Sequence, residues 1–180
     1  MGVELVETTY WSKIAFEINR DFGDGITNKL IADYLPVKIE DVEPVSIYLV
    51  PRNWSGIIED KISNLDIYSL GLWFGDVYQN RFRLSLPILN PLAKLTSNII
   101  HVKQIAAESF TYGRSILKES VIDIDESLKR HQRVIVLNEK DDVLGLAELV
   151  TDAIRVSDMK DDDLIAKNLI DIGWYIRKLG

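Results

Sequence analysis

Cysteine is absent from this 180-residue sequence, which excludes disulfides, thiolate zinc sites and cysteine nucleophiles. Histidine is scarce: only His101 and His131 are available for imidazole chemistry, so no metal site is expected. No apolar run approaches the roughly 20 residues that a membrane-spanning helix needs. The opening residues MGVELVETTYW lack the basic start and apolar stretch of a signal peptide. The Met-Gly start also fails as a myristoylation signal, because Glu7 stands where that motif requires Ser or Thr. These absences predict a cytoplasmic protein with no membrane partner. An excess of positive charge is lacking as well. The net charge is −7 and the pI near 4.9, which argues against strong non-specific binding to nucleic acid, since that binding rests on neutralising phosphates with Lys and Arg.

What is present suits a folded chain: 47% hydrophobic and 27% charged residues, far from the composition of disorder. The acidity is uneven. Before Ala93 there are 8 basic and 13 acidic residues, after it 13 and 15, so any RNA site is expected as a local patch in the second half.

Thr8 or Thr9 can cap a helix through about residue 21, with Ile14, Phe16 and Ile18 among its apolar positions and Gly23 as its stop. Residues 47–50 read as a strand before Pro51. Residues 53–64 carry Trp54, Ile57, Ile58 and Ile62 at helical spacing. Residues 67–77 and 81–86 predict an antiparallel hairpin turning at Tyr78-Gln79-Asn80. Pro87 and Pro91 then bracket a short stretch that cannot continue a central strand, which places a junction within residues 87–97. Beyond it, residues 103–112 predict a helix ended by Gly113 in a left-handed cap. Short apolar runs at 115–117, 121–124, 133–137, 143–150 and 164–169 follow, with the polar cluster 138–142 as a turn. That rhythm predicts a small β-barrel. The expected organisation is α+β: an N-terminal α/β domain with an antiparallel sheet over residues 1–93, and a small β-barrel over 94–180.

Several stretches, in order, resemble the Nip-seven family of large-ribosomal-subunit assembly factors, including its archaeal members. They are Ser69-Leu70-Gly71 with Phe74-Gly75, then Phe82-Arg83-Leu84, then Glu108-Ser109-Phe110-Thr111-Tyr112-Gly113 followed by Ile116-Leu117-Lys118. Leu144-Gly145 and the closing Asp171-Ile172-Gly173-Trp174-Tyr175-Ile176-Arg177 complete the series. The resemblance implies that the second half is a PUA domain, an RNA-binding β-barrel. It further implies a ribosome biogenesis factor acting in pre-rRNA maturation, whose partners are RNA (pre-rRNA or single-stranded segments) and ribosome-assembly proteins. One departure stands out. The family commonly has Arg and Lys after the late Leu-Gly strand, whereas this chain has Ser157-Asp158 and then Asp161-Asp162-Asp163, leaving Arg155, Lys160 and Lys167 as the cations there.

Two RNA-facing groups emerge. Gly113 would let a sugar or phosphate approach the backbone, and in an unbulged strand Arg114 and Lys118 would share a face. The same residues also read as a helix cap followed by two solvated cations. Residues 129–133, Lys-Arg-His-Gln-Arg, form the densest basic run and offer Arg130 and Arg133 to phosphates, unless Asp123, Asp125 and Glu126 neutralise them. Lys167 and Arg177 are further candidates. Of the four tryptophans, Trp174 beside Arg177-Lys178 is the one placed to stack a base, and the others read as packing.

The acidic groups 141–142 and 161–163 lack EF-hand spacing, and no phosphate loop, nucleophile elbow or kinase signature is present, so neither cofactor nor catalytic centre is expected. Two alternatives to direct RNA binding stay open. One is a protein-interaction adaptor whose acidic first half meets a basic partner. The other is a non-catalytic subunit of an RNA-modification complex.

Overall fold

The computed structural model describes residues 2–40, 44–60, 67, 69–174 and 177, and the chain divides into two compact units, Met1–Leu92 and Ala93–Gly180. The first contains β1 (Gly2–Leu5), α1 (Thr8–Phe22), α2 (Ile26–Leu30), β2 (Tyr34–Glu40), β3 (Val45–Pro51), a 3-10 turn (Arg52–Trp54), α3 (Ser55–Asp60), β4 (Leu72–Tyr78), β5 (Arg81–Leu84) and α4 (Leu86–Ala93). Its five strands form one antiparallel sheet in the order β1-β2-β3-β4-β5. Ile14, Ile18 and Phe22 recur every four residues and form the buried stripe of α1. Trp11 of that helix lies 5.4 Å from Phe74 of β4, which stacks on Phe82 of β5 at 5.3 Å. Val3, Val37, Ile39, Tyr48, Val50 and Ile58 form a second apolar cluster of the same unit.

Several expectations are corrected. Phe16 is 68% exposed, because it falls off the Ile14–Ile18–Phe22 stripe. Neither Thr8 nor Thr9 caps α1: Glu7 occupies the cap position and makes no side-chain capping bond. The strand at 81–86 stops at Leu84, since Leu86 opens a helix. The Pro-flanked stretch is that helix, α4, in which Pro87 sits in the first turn, where its missing N–H costs nothing. Residues 61–64 of the expected 53–64 helix, with Ile62, lie outside the described residues. So do Tyr68, Tyr175, Ile176 and Lys178.

The second unit contains β6 (Ile99–Val102), α5 (Gln104–Thr111), β7 (Ile116–Leu117), a 3-10 turn (Lys118–Ser120), β8 (Val121–Ile124), β9 (Arg133–Leu137), β10 (Val143–Leu149), a 3-10 segment (Ala153–Asp158) and β11 (Leu164–Asp171). Six strands run in the order β7-β11-β10-β9-β6-β8, antiparallel except for the parallel β6–β9 pair. The two edge strands are joined by Lys118–Ser120 alone, so the sheet curls into a nearly closed barrel. Ile100, Val102, Phe110, Val134, Val136, Leu149 and Ile165 fill it. Between β9 and β10, Asn138 Oδ1 accepts the amides of Lys140 and Asp142, both at 2.9 Å, which makes the polar cluster a side-chain-braced turn.

Candidate nucleic-acid interface

The end of α5 is built as a two-bond helix cap. Gly113 N donates to Phe110 O at 2.9 Å and Arg114 N to Ser109 O at 3.2 Å, the pairing of a Schellman motif, with Gly113 at φ +87 where only glycine is unstrained. This cap turns the chain outward and leaves Arg114 exposed. Among the described residues no carboxylate pairs with its guanidinium. Arg114 borders a groove of about 390 Å³ whose lining includes Lys103, Ile105, Ser109, Leu117 and Glu119. Ile105 and Tyr112 beside it are 82% and 77% exposed. The site therefore joins a cation, hydroxyls and bare apolar surface, the combination that suits a phosphate and an unstacked base.

The unbulged strand expected to align Arg114 with Lys118 is not formed. The strand here, β7, has only Ile116 and Leu117, and Lys118 begins a 3-10 turn. Lys118 Nζ lies 3.1 Å from Asp161 Oδ1. Arg177 also differs from a free surface cation. Its guanidinium donates to both oxygens of the buried Asp171, at 3.1 and 2.8 Å, and to Thr111 O at the end of α5. The hydrogen bond to Asp171 is the main reason that the Arg177 guanidinium is pushed above its ordinary basicity.

A second group forms on the barrel wall. The ladder places Lys167 of β11 opposite Glu148 of β10, and Glu148 opposite Arg133 of β9, so the two cations flank one carboxylate in a row across three strands. His131 Nδ1 lies 3.2 Å from the same Glu148. Arg130 is exposed in the preceding turn, its amide held by Asp152 at 2.9 Å. Nearby, hydrogen bonds from the Ser127 hydroxyl and amide hold the Asp125 carboxyl below its usual range, so it stays ionised beside the basic run. The candidates thus sort into Gly113, Arg114 and Lys118 around the α5 cap, Arg130, Arg133 and Lys167 around Glu148, and Arg177 locked to Asp171.

Sequence reasoning missed Lys103 and Ile105, which share the groove lining with Arg114, and Tyr112, which borders Arg114 at the end of α5. The signal available was the helix ending at Gly113, on which Ile105 and Tyr112, seven residues apart, share a face. It also missed Asn168, whose Nδ2 donates to Phe110 O at 2.9 Å and Asp171 at 3.2 Å and lies 3.4 Å from Arg114 O, tying the cap to β11.

The family model described as UPF0113 PUA domain matches residues 98–180. A UPF0113 protein of Archaeoglobus fulgidus is 30% identical over 139 residues, covering 77% of this chain and 76% of that protein. The 60S ribosome subunit biogenesis protein nip7 of Schizosaccharomyces pombe is 27% identical over 117 residues; the match covers 64% of this chain and 65% of that protein, just under two thirds of its length. The structure of a conserved PUA domain protein from Thermoplasma acidophilum superposes with a TM-score of 0.66 at 14% identity, covering 99% of this chain and 100% of that one. A nearly closed six-strand barrel under a PUA-domain match, and 30% identity across three quarters of an archaeal relative, make this chain a member of the UPF0113 family.

Proposed function

We propose that this protein is a non-catalytic, cytoplasmic RNA-binding factor of large-ribosomal-subunit biogenesis. Its PUA domain holds a single-stranded segment of pre-rRNA, and assembly proteins are its other partners. The names of its relatives support the process, and the exposed Arg114 above the α5 groove is the observation that carries the contact. Gly113 lets the strand approach the backbone, Arg114 takes a phosphate, and Tyr112 and Ile105 offer apolar surface to a base. The row of Arg133 and Lys167 around Glu148, with Arg130, supplies a weaker second contact, since the carboxylate offsets part of its charge. Arg177 contributes by fixing the end of α5.

Arg114→Ala tests this reading. Because Arg114 makes a phosphate contact, its removal lowers affinity for different single-stranded sequences by a similar factor, about 5- to 10-fold, and flattens the slope of log K against log salt by about 0.7. A correctly folded variant with unchanged RNA affinity overturns the assignment. The net charge of −7 favours a second reading, an adaptor that meets basic assembly proteins with little direct RNA contact. Absence of binding by the native protein at low salt would select that reading.

A further inference from the structure

Lys118 lies four residues beyond Arg114, at the start of the 3-10 turn that follows β7, and as a neighbouring cation it would ordinarily offer a second phosphate contact, yet the structure gives it a carboxylate already. The loop that brings Asp161 to it is seated by the backbone: Lys118 N donates to Asp163 O at 2.9 Å, and Glu119 N to Asp161 O at 3.1 Å. The loop is also braced from within, Asp163 N donating to Lys160 O at 2.9 Å and Lys160 N to Asp163 Oδ2 at 2.8 Å. From that fixed platform Asp161 reaches Lys118 Nζ at 3.1 Å, while Asp162 and Glu119 are exposed close by. A phosphate arriving at Lys118 would have to displace a preorganised carboxylate and would meet two more within about one Debye length, roughly 8–10 Å.

We propose that the loop of residues 161–163 is a specificity element that occupies Lys118 in place of a phosphate and confines a bound RNA strand to the groove beside Arg114. The inference rests on the RNA-binding reading of this surface. Its chemistry is a carboxylate standing in for a phosphate oxygen: the same ammonium ion, the same hydrogen-bond distance, and a ligand that the chain carries itself.

The test uses the full chain and an oligouridylate of about ten residues, titrated at several salt concentrations. Asp161→Asn removes the charge but keeps both backbone bonds, so the fold and melting temperature are retained. Affinity is expected to rise about 3- to 10-fold, and the salt slope to steepen by about 0.7 as Lys118 becomes available. Lys118→Ala alone is expected to change affinity less than 2-fold, in contrast to Arg114→Ala, and in the Lys118→Ala background Asp161→Asn should give little gain. If Lys118→Ala weakens binding as much as Arg114→Ala, or if Asp161→Asn leaves affinity and slope unchanged while Arg114→Ala still lowers binding, the masking role is overturned and the RNA reading stands. Failure of the native and Asp161→Asn proteins alike to bind overturns both.

Discussion

Asn168→Ala probes the joint that holds the α5 cap against the barrel. The side-chain amide has two hydrogens, directed at Phe110 O (2.9 Å) and at the carboxylate of Asp171 (3.2 Å), with Arg114 O further away at 3.4 Å. Losing the first removes a neutral hydrogen bond, worth about 1 kcal/mol. The second is made to an ion that is only 1% exposed, and such a bond contributes about 1.5–3 kcal/mol. Asn168 itself is half-buried, so water replaces part of what is lost, and Asp171 keeps its two bonds from Arg177. The net expectation is a destabilisation of about 2 kcal/mol, or a drop in Tm of roughly 8–16 °C for a unit of this size. Urea unfolding followed by circular dichroism reads the stability, and hydrogen exchange at the Gly113 and Arg114 amides reads the local release. Asn168→Asp sharpens the test. A second carboxylate beside Asp171 has its pKa raised in the folded state, so the variant is the less stable of the two at neutral pH and recovers as pH falls and that group protonates. An Asn168→Ala protein within about 0.5 kcal/mol of the native one, with unchanged exchange, would refute the claim that this amide ties the cap to β11.

Gly145→Ala should be severely destabilising, because its Cβ would stand 2.1 Å from Ile170 O and 2.8 Å from Asp171 Cα, backbone atoms of β11 that cannot swing aside. A loss above about 3 kcal/mol or insoluble expression is expected, and a near-native melting curve would contradict the packing of β10 on β11. A fragment beginning at Leu95 keeps all six barrel strands and should unfold cooperatively on its own; a disordered circular dichroism spectrum would show that the barrel needs the first unit.

The parts of the fold that sequence made legible are those whose signals are local. Gln79 and Asn80 both adopt positive φ, +49 and +59, just before a strand that alternates in burial, and that polar turn is visible in the residues themselves. Gly113 announces the end of α5 in the same way. The strands that escaped, β1, β2 and β6, lack such marks. Two are four residues long, and β2 carries Pro36, whose carbonyl accepts Val6 N at 3.0 Å but which has no N–H to donate, so it reads as a break in a strand pattern. At the candidate site the limits are the same. A cation is readable in the sequence, but its partner is not. Lys118 and Asp161 are 43 residues apart, and nothing in either segment marks the pair. Arg177 and Asp171 lie within one motif, yet only the folded chain shows Asp171 buried and Arg177 consumed by it.

The parallel pairing of β6 with β9 has a kinetic consequence. Parallel neighbours cannot zip from a hairpin, so although β6 can pair early with β8, its other edge must wait for β9, more than 30 residues later, and β7 finds its partner only when Ile116 meets Ala166. As the chain is synthesised, the barrel residues Ile100, Val102 and Phe110 emerge long before β11 exists to help cover them. Closure then comes late and largely in one step, on the millisecond-to-second scale of β topologies dominated by distant contacts. Until that step, the first third of the barrel is an aggregation hazard that the chain must either outrun or hide.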